Sequence, residues 1–469
     1  MAQRVTQVLH EATLAVLERT GVGVDSRPAL ELLAEHSIRV DFKARRVHPT
    51  GEHIEQALAR APRAVTVYGR GTRKPYVIGG AGTYVLAGGG SLRVLTLDGR
   101  FEAASWEHLR QFNILLDALP NIDFCINQVD PQDDAGEGFY RRIAAEMLIG
   151  MPKPCLLQAF SAADVRAMVE MGAVIRGPQQ ALEAKPVFVV AANAEPPLHI
   201  SGHVAELLME AWRAGLPAHL GNYNMLGITA PSTVAGAVVQ INAVQMVALI
   251  LSQLVRPGAQ MMYSVFSGGG NMRTLDPITG DPSTVQQQRL AAELGRFYGL
   301  PVYGVAATDA QLPDAQAACE RAVQLCMALD AGMHLVQGPT SMMDAMMLSS
   351  FGQAVIDDDI VGYVRAAWKA PELSAEALAL DAMHDVATDP ELRDLKFAGH
   401  AHTVRHMRDQ LWQPAAFCRD SHAAWQRAGA PSVLDRANAV ARRILDQHRP
   451  EPLPAETAKE IRRIAQLGV

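Results

Sequence analysis

Side chains that can bind a small molecule recur in this chain where short apolar segments end. Residues 227–310 show this best, because an apolar helix, a short apolar segment and a polar loop occur twice in succession. The loops carry Phe266, Asn271, Thr308 and Asp309. Aromatic faces and carboxylates attract cations, and amides donate and accept hydrogen bonds, so these residue types can hold a small polar or cationic ligand.

The candidate binding residues are aromatic, amide and charged side chains at such segment ends. The predicted aromatic walls are Phe160, Tyr223 and Phe266. Asp309 is predicted to balance a cation, and Arg273 to pair with a carboxylate in bidentate fashion. The amides with a predicted hydrogen-bonding role are Asn127, Gln158, Asn193, Asn222, Asn271 and Gln337.

Each of these residues also has a purely structural interpretation. Aromatic residues at strand ends often only pack in the core, and amides there often only cap loops. Arg273 can brace its own loop, and Asp309 and Asp314 can cap helices; for Asp314 capping is the favoured interpretation. No converging acid and base identify a catalytic residue in the sequence.

Eight apolar strand segments alternate with helices, which is the pattern of a (β/α)8 TIM barrel. The strands are predicted at 83–87, 124–129, 155–160, 187–192, 218–222, 261–266, 302–306 and 334–337. The helices are predicted at 106–118, 138–150, 162–175, 203–214, 234–255, 284–298, 315–330 and 356–368. An open, doubly wound sheet is the alternative, but Gly88-Gly89-Gly90 is not part of the ordered glycine motif that such sheets use for phosphate.

Three segments organise the chain. Residues 1–80 are predicted to form an N-terminal α+β elaboration, 81–370 the barrel, and 371–469 a C-terminal helical extension that covers the barrel mouth or supports a dimer. In a barrel the strand ends converge on one mouth, so side chains distant in sequence can line a single pocket.

Composition excludes several classes of protein. The 469 residues are 49% hydrophobic and 19% charged, which indicates a large core, and the net charge of −7 argues against a nucleic-acid binder. The scattered cysteines fit a reducing compartment, and the N-terminus lacks the apolar stretch of a signal peptide. The most apolar helix, near 235–255, contains four amide side chains and is predicted to be buried in a barrel. We therefore expect a cytoplasmic protein without a membrane span.

The histidines near the C-terminus are the nearest approach to a metal motif. His402 and His406 are predicted to share one helix face, and His400 lies close by. They lie far along the chain from every predicted strand, so a structural or surface role is favoured and no metal site is expected. Cys319 and Cys326 share a face without an evident ligand partner.

Many short motifs, in order, resemble the trimethylamine methyltransferase family of corrinoid-dependent methyltransferases. They include TAP at 229–231, NMRT at 271–274, FYGLP at 297–301 and TD at 308–309 followed by PDAQ at 313–316. The opening segment at 10–41, the AEPPL run at 194–198 and HAHTVRHMRDQLWQP at 400–414 extend the resemblance over nearly the whole chain.

The resemblance implies a barrel enzyme that passes a methyl group from a methylated amine to the Co(I) corrinoid (cobalamin) of a separate protein. Archaeal members use pyrrolysine, but this chain has only standard residues and resembles the branch without it. Some members of that branch demethylate quaternary amines such as glycine betaine. The implied cofactor is therefore carried by a partner, no tightly bound cobalamin is expected, and the corrinoid protein is expected to dock over the mouth.

Two other functions fit the sequence. One is a non-catalytic binding protein for methylated amines, because binding and transfer need the same pocket. The other is a barrel lyase or hydrolase of unrelated chemistry, which the fold alone allows. Which amine is bound, and whether the chain forms a homo-oligomer, stay open at this point.

Overall fold

Eight parallel strands close into a barrel. The computed structural model describes residues 2–71, 74–134 and 136–466. Within these residues the barrel strands follow one another around the ring in chain order, and the last pairs with the first. We number them β1 (Tyr84–Ala87), β2 (Phe124–Cys125), β3 (Cys155–Gln158), β4 (Phe188–Ala194), β5 (Ala218–Asn222), β6 (Met261–Ser264), β7 (Val302–Val305) and β8 (Leu335–Gln337).

The closed barrel confirms the predicted fold class, and each of the eight predicted strands is present. Several end earlier than expected; β2 ends at Cys125 rather than at residue 129. The reason is local, because the carbonyl oxygen of Asn127 turns to accept hydrogen bonds from the N–H groups of Gly89 (3.0 Å) and Gly90 (2.9 Å). The glycine run is thus the turn after β1 and not part of an open sheet.

Helices alternate with the strands and cover the outside of the barrel. They are Trp106–Ala118, Phe139–Gly150, Ala162–Arg176, Gly202–Arg213, Val234–Val255, Pro282–Phe297, Ala315–Asp330 and Phe351–Trp368, with a short additional helix at Gln179–Ala184. Their starts follow from capping residues. The Asp314 carboxylate accepts hydrogen bonds from the N–H groups of Gln316 (2.9 Å) and Ala317 (3.3 Å), which confirms its predicted role as a cap.

The barrel interior is closed at the N-terminal ends of its strands. A hairpin of Val65–Val67 and Tyr76–Ile78 packs into one apolar cluster with inward-facing strand residues. The Thr66 N–H donates to the side chain of Gln260 just before β6, and the Tyr68 N–H donates to the carbonyl of Pro186 just before β4. The strand residues of this cluster include Leu86, Phe124, Leu156, Val189, Met262 and Leu335. The opposite, C-terminal end is therefore the end that remains for a binding site.

Val234–Val255 is the helix of the described chain that is long and apolar enough to cross a membrane. It is buried, and its amides are bonded inside the protein, as the sequence predicted for a barrel helix. Asn242 donates to the Tyr298 hydroxyl and to Thr13 Oγ1, both at 2.9 Å. Gln245 donates to the carbonyl of Leu220 at 2.8 Å. These long-range contacts fasten the helix to the barrel wall and to the N-terminal helix Ala2–Arg19.

The N-terminal segment adds helices and a small sheet. The helices are Ala2–Arg19, Arg27–Glu35 and Gly51–Arg60. The sheet has the order His199–Ile200, Val22–Val24, Arg46–His48, Arg39–Asp41. One of its strands comes from the loop after β4, so the segment is joined to the barrel. Met1 and Val469, the outer limits of the three predicted segments, lie outside the described residues. The division of the chain into 1–80, 81–370 and 371–469 stays a prediction.

Two further small sheets are built from the loops that follow the barrel strands. Loops after β5 and β6 supply Asn224–Leu226, Ser267–Gly270 and Pro277–Ile278. Loops after β8 and β1 supply Met342–Met343, Leu348–Ser350, Arg93–Leu95 and Phe101–Ala103. These sheets fix the loops that carry the candidate site residues.

The C-terminal extension is helical, as predicted. Its last two helices, Val433–Gln447 and Ala455–Gln466, pack on the flank of the barrel against Phe351–Trp368 and Phe139–Gly150. Before them lies a lobe, residues 370–411, with helices Ala375–Leu378, Leu380–Thr388, Pro390–Leu395 and Ala401–Gln410 and a 3-10 turn at Lys396–Gly399. His422–Arg427 connects the lobe to the flank helices.

Candidate functional site

An aromatic pair lies at the ends of the adjacent strands β5 and β6. Tyr223 follows β5 directly and Phe266 follows β6, and their ring centroids are 4.7 Å apart with an interplanar angle of 52°. Burial, and then the charge of Asp309, raise the pKa of the Tyr223 hydroxyl. The structure therefore brings together three of the predicted site residues, which we call the Tyr223 cluster: Tyr223, Phe266 and Asp309.

Asp309 is held by its neighbours. Its carboxylate accepts hydrogen bonds from the Thr279 N–H (2.7 Å), the Thr279 hydroxyl (2.9 Å) and the Gly280 N–H (2.9 Å). Glu320 in turn accepts a hydrogen bond from the Asp309 N–H at 2.9 Å. Asp309 thus braces the loop after β6. The structural role that the sequence suggested was a cap of the following helix, but the described donors to the Asp309 carboxylate are Thr279 and Gly280. Its role as the counter-charge of a cation stays a prediction.

A second aromatic group lies at the ends of β2 to β4. Phe160 is 61% exposed. Its ring stacks on that of Tyr140 (centroids 6.4 Å apart, 11° between planes) and contacts that of His203 (centroids 4.9 Å apart). Phe160 is far more exposed than core packing would make it. We call Tyr140, Phe160, His203 and the nearby Asp130 the Phe160 cluster.

Asp130 in the loop after β2 is a carboxylate that the sequence analysis missed. Asn127 donates to its Oδ1 at 2.6 Å, so this predicted amide is engaged. Burial raises the pKa of Asp130 to about 6, and the Asn127 hydrogen bond opposes the rise. Burial also raises the pKa of Tyr140, and the charge of Asp130 adds to it. The sequence feature that could have identified Asp130 is its position just after a predicted strand, which is also the position of Asp309.

The glycine turn after β1 makes room for this carboxylate. Gly90 has φ +81°, and a Cβ there would lie 2.9 Å from the nearest carboxylate oxygen of Asp130. A larger residue at Gly90 would therefore be strained and would also displace Asp130. The glycine turn, which lacks the ordered motif of a phosphate loop, positions an acid.

A polar layer crosses the barrel below the mouth. The Tyr303 hydroxyl donates to Gln337 Oε1, and Gln337 Nε2 donates to the carbonyl of Gly88 at 2.9 Å. The His219 ring lies 4.6 Å from that of Tyr303, and burial lowers the pKa of His219 to about 4. His219 is therefore neutral near pH 7. Gln337, predicted as a ligand contact, has both of its polar atoms engaged in this layer.

Several buried polar atoms near the strand ends have no hydrogen-bond partner among the described residues. The Asn222 amide, at the end of β5 and fully buried, lacks one for both Oδ1 and Nδ2. The Ser264 hydroxyl at the end of β6 and His219 Nδ1 lack one too. Burying such groups unpaired is unfavourable, so they mark where water or a polar ligand completes the structure.

Four predicted residues, Gln158, Asn193, Asn271 and Arg273, have no described contact with either aromatic cluster. Gln158 is partly buried, and Asn193 is exposed. Asn271 shapes its own turn, since its Oδ1 accepts from the Arg273 N–H at 3.0 Å and its N–H donates to the Asp276 carbonyl at 2.9 Å. The Arg273 side chain is exposed. Their roles in ligand binding stay predictions.

The chain is similar to known proteins over nearly its whole length. Residues 1–466 match the family described as trimethylamine methyltransferase (MTTB). The chain is 27% identical over 460 residues to the trimethylamine methyltransferase MttB of Desulfitobacterium hafniense (98% of this chain, 91% of the relative). It is 26% identical over 465 residues to a glycine betaine methyltransferase of the same species (98% and 95%).

Solved structures agree at the level of the fold. The monomethylamine methyltransferase MtmB of Methanosarcina barkeri is similar with a TM-score of 0.55 at 12% identity, covering 94% of this chain and 86% of that one. This likeness supports the barrel fold. The family match spans nearly the whole chain, and the chain therefore belongs to the trimethylamine methyltransferase family of amine methyltransferases.

Proposed function

We propose that this amine methyltransferase moves a methyl group from a quaternary amine, such as glycine betaine, to the Co(I) corrinoid of a partner protein. The observation that carries the proposal is the Tyr223–Phe266 pair beside Asp309 at the ends of adjacent strands. Aromatic faces and a carboxylate are the groups that hold a quaternary ammonium, which has no N–H to donate. The similarity to a glycine betaine methyltransferase supports the choice of substrate class.

The reaction requires the methyl group to be aligned with the cobalt atom, and it requires no acid or base. The Co(I) electron pair forms the bond to the methyl carbon, while the electron pair of the C–N bond leaves with nitrogen as a neutral amine. The leaving group therefore needs no proton. The protein's residues have to hold the ammonium so that one methyl group faces the mouth and the incoming corrinoid.

The proposed binding groups divide by the part of the substrate they hold. Tyr223, Phe266 and Phe160 provide aromatic contacts, and Asp309 and Asp130 provide negative charge. The unpaired amide of Asn222 is suited to the polar end of a betaine, and Arg273 is the proposed carboxylate partner on the loop after β6. Further amide contacts are proposed for Gln158 and Asn193. Asn127, Asn271 and Gln337 already make hydrogen bonds within the protein, and for them a ligand contact is proposed through the remaining donor or acceptor capacity of the amide.

The corrinoid is a second substrate in this proposal, delivered by another protein. The corrinoid protein docks over the C-terminal end of the barrel, where the methyl group emerges, and the purified chain carries no tightly bound cobalamin. A cytoplasmic location fits these partners. Stoichiometric cobalt in the protein purified alone would contradict the delivery by a partner.

The test is methyl transfer to free cob(I)alamin followed by visible absorbance. Glycine betaine and trimethylamine are compared as donors, and 3,3-dimethylbutanoate, the isostere of the betaine with carbon in place of nitrogen, serves as a ligand without the cation. Methylation of cobalamin by glycine betaine supports the proposal. If a methylated amine binds but no methyl group is transferred, either to free cobalamin or to a corrinoid protein, the chain is a binding protein. If no methylated amine binds or reacts, the chain is a barrel enzyme of unrelated chemistry.

A further inference from the structure

Three potential metal ligands converge in the C-terminal lobe. Glu376 comes from the helix Ala375–Leu378, and His402 and His406 come from Ala401–Gln410. Their ligand atoms all lie within 4.8 Å of one another. The sequence showed the histidine pair but not the carboxylate, which is brought in by the fold.

The local geometry is close to that of a tetrahedral site. His406 Nε2 lies 3.0 Å from Glu376 Oε1, and His402 Nε2 lies 3.2 Å from the carbonyl oxygen of Glu376. The two imidazole rings, one helical turn apart, have centroids 4.3 Å from each other. Ligand bonds of roughly 2.0–2.2 Å at tetrahedral angles put ligand atoms about 3.3–3.5 Å apart, so small side-chain rotations suffice.

The lobe around these residues has almost no core of its own. Among its described helices Ala382 is the one buried residue. Large apolar side chains such as Leu373 and Leu380 are 75% and 68% exposed. A small helical unit without a core needs another source of stability, and a structural metal is one that small domains use.

We propose that Glu376, His402 and His406 bind Zn²⁺ and that the ion joins the helices Ala375–Leu378 and Ala401–Gln410 of the lobe. Two imidazoles and a carboxylate suit zinc, whereas Mg²⁺ and Ca²⁺ prefer oxygen ligands alone. Water takes the fourth position. The site lies outside the barrel strands and is independent of methyl transfer.

Arg405 competes with a metal ion for the carboxylate of Glu376. Its guanidinium donates to Glu376 Oε1 at 2.8 Å and 3.2 Å, the same oxygen that His406 contacts. The described hydrogen bonds and ion pairs of the Glu376 side chain all use Oε1, which leaves Oε2 for the ion. Arg405→Ala removes a positive charge from beside the site, so this variant should bind zinc more tightly than the wild type.

The first experiment measures binding by the full-length chain after removal of metals with a chelator. Addition of Co²⁺ should give the visible absorption of tetrahedral Co²⁺, and Zn²⁺ should displace it at about one equivalent per chain. His402→Ala, His406→Ala and Glu376→Gln should each weaken binding at least about 10-fold, as removal of metal-site groups does. His384→Ala is the matched control, because His384 is an exposed histidine of the same lobe outside the cluster.

The second experiment measures protection of the lobe by limited proteolysis with and without Zn²⁺. Because an ion that binds the folded form shifts the equilibrium by mass action, zinc at 100 times its Kd should slow cleavage within residues 370–411 by up to about 100-fold. The three ligand variants should lose this protection, and circular dichroism checks that their barrels remain folded. Unchanged zinc binding in the ligand variants, or binding that falls equally with His384→Ala, overturns the proposal.

Discussion

The two aromatic clusters at the barrel mouth differ in how their carboxylates are held. In the Tyr223 cluster, Asp309 accepts three hydrogen bonds from Thr279 and Gly280, which fix its position. In the Phe160 cluster, Asp130 accepts one described side-chain hydrogen bond, from Asn127, and burial raises its pKa to about 6. One cluster therefore offers a positioned charge, and the other offers a charge that changes within the range of working pH.

This difference assigns the clusters different parts of the proposed reaction. A fixed carboxylate beside a half-buried aromatic pair is suited to hold the ammonium in one orientation. When a buried carboxylate with a raised pKa ionises, the folded protein becomes less stable. Such groups concentrate at functional sites. We expect Asp130 to tune affinity with pH and Asp309 to set orientation.

The largest expected effect is that of Asp130→Asn on stability. A rise in pKa from 3.8 to about 6 corresponds to on the order of 3 kcal/mol at about 1.4 kcal/mol per unit. Because the folded state binds the proton more tightly than the unfolded state, the free energy of unfolding of the wild type should fall as pH rises from about 4 to about 6. In Asp130→Asn this fall should be absent.

Denaturant unfolding at a series of pH values between about 4 and 8 measures this effect. Glu137→Gln is the control, because Glu137 is an exposed acid in the same loop region. If Asp130→Asn and the wild type show parallel pH profiles, the carboxylate is not the titrating group, and the contrast between the two clusters fails.

The next effect is that of Asp309→Asn on ligand affinity. The change keeps the shape but removes the charge. The attraction between a carboxylate and an ammonium roughly 5–6 Å apart is on the order of 3 kcal/mol at an effective dielectric constant of about 20, before the cost of desolvation, so affinity for glycine betaine should fall about 10- to 100-fold. Binding of 3,3-dimethylbutanoate should fall less, because it has no cation. Calorimetric titration of both ligands gives the comparison.

A second variant separates the charge of Asp309 from its brace. Thr279→Val removes the hydroxyl that donates to Asp309 at 2.9 Å and leaves the carboxylate charged. It should lower stability and affect both ligands equally. An equal loss for both ligands in Asp309→Asn itself would mean that Asp309 only braces its loop.

The sequence predicted the barrel and part of the mouth because both depend on local pattern. Apolar runs mark every barrel strand. The rule that strand ends converge predicts that Tyr223 and Phe266 lie together, and their ring centroids are 4.7 Å apart. Asp314 was assigned as a cap from its place before a helix. Such inferences need only neighbours in sequence and a fold class.

The contacts that were missed depend on tertiary neighbours. His219 lies inside an apolar strand, so the polar layer it forms with Tyr303 had no sequence signal. Asp130 required the knowledge that the glycine turn after β1 packs against the loop after β2. Glu376 joins the histidine pair from another helix of the lobe, and no periodicity connects the two. The His219–Tyr303 layer, the Asp130 site and the Glu376 cluster all depend on side-chain burial and on contacts between residues far apart in sequence.

The smallest expected effect compares the aromatic residues of the two clusters. Phe266→Leu keeps an apolar side chain but removes the ring, so it should cost a cation–π contact of about 0.5–2 kcal/mol and weaken glycine betaine about 2- to 30-fold. Phe160→Leu is the matched change in the other cluster. Because Phe160 is 61% exposed, the contact of its ring with the cation should contribute at the lower end of this range. Calorimetric titration at one pH above 7 keeps Asp130 ionised in both variants. A larger loss for Phe160→Leu than for Phe266→Leu would place the ammonium in the Phe160 cluster and make Asp130 its main counter-charge.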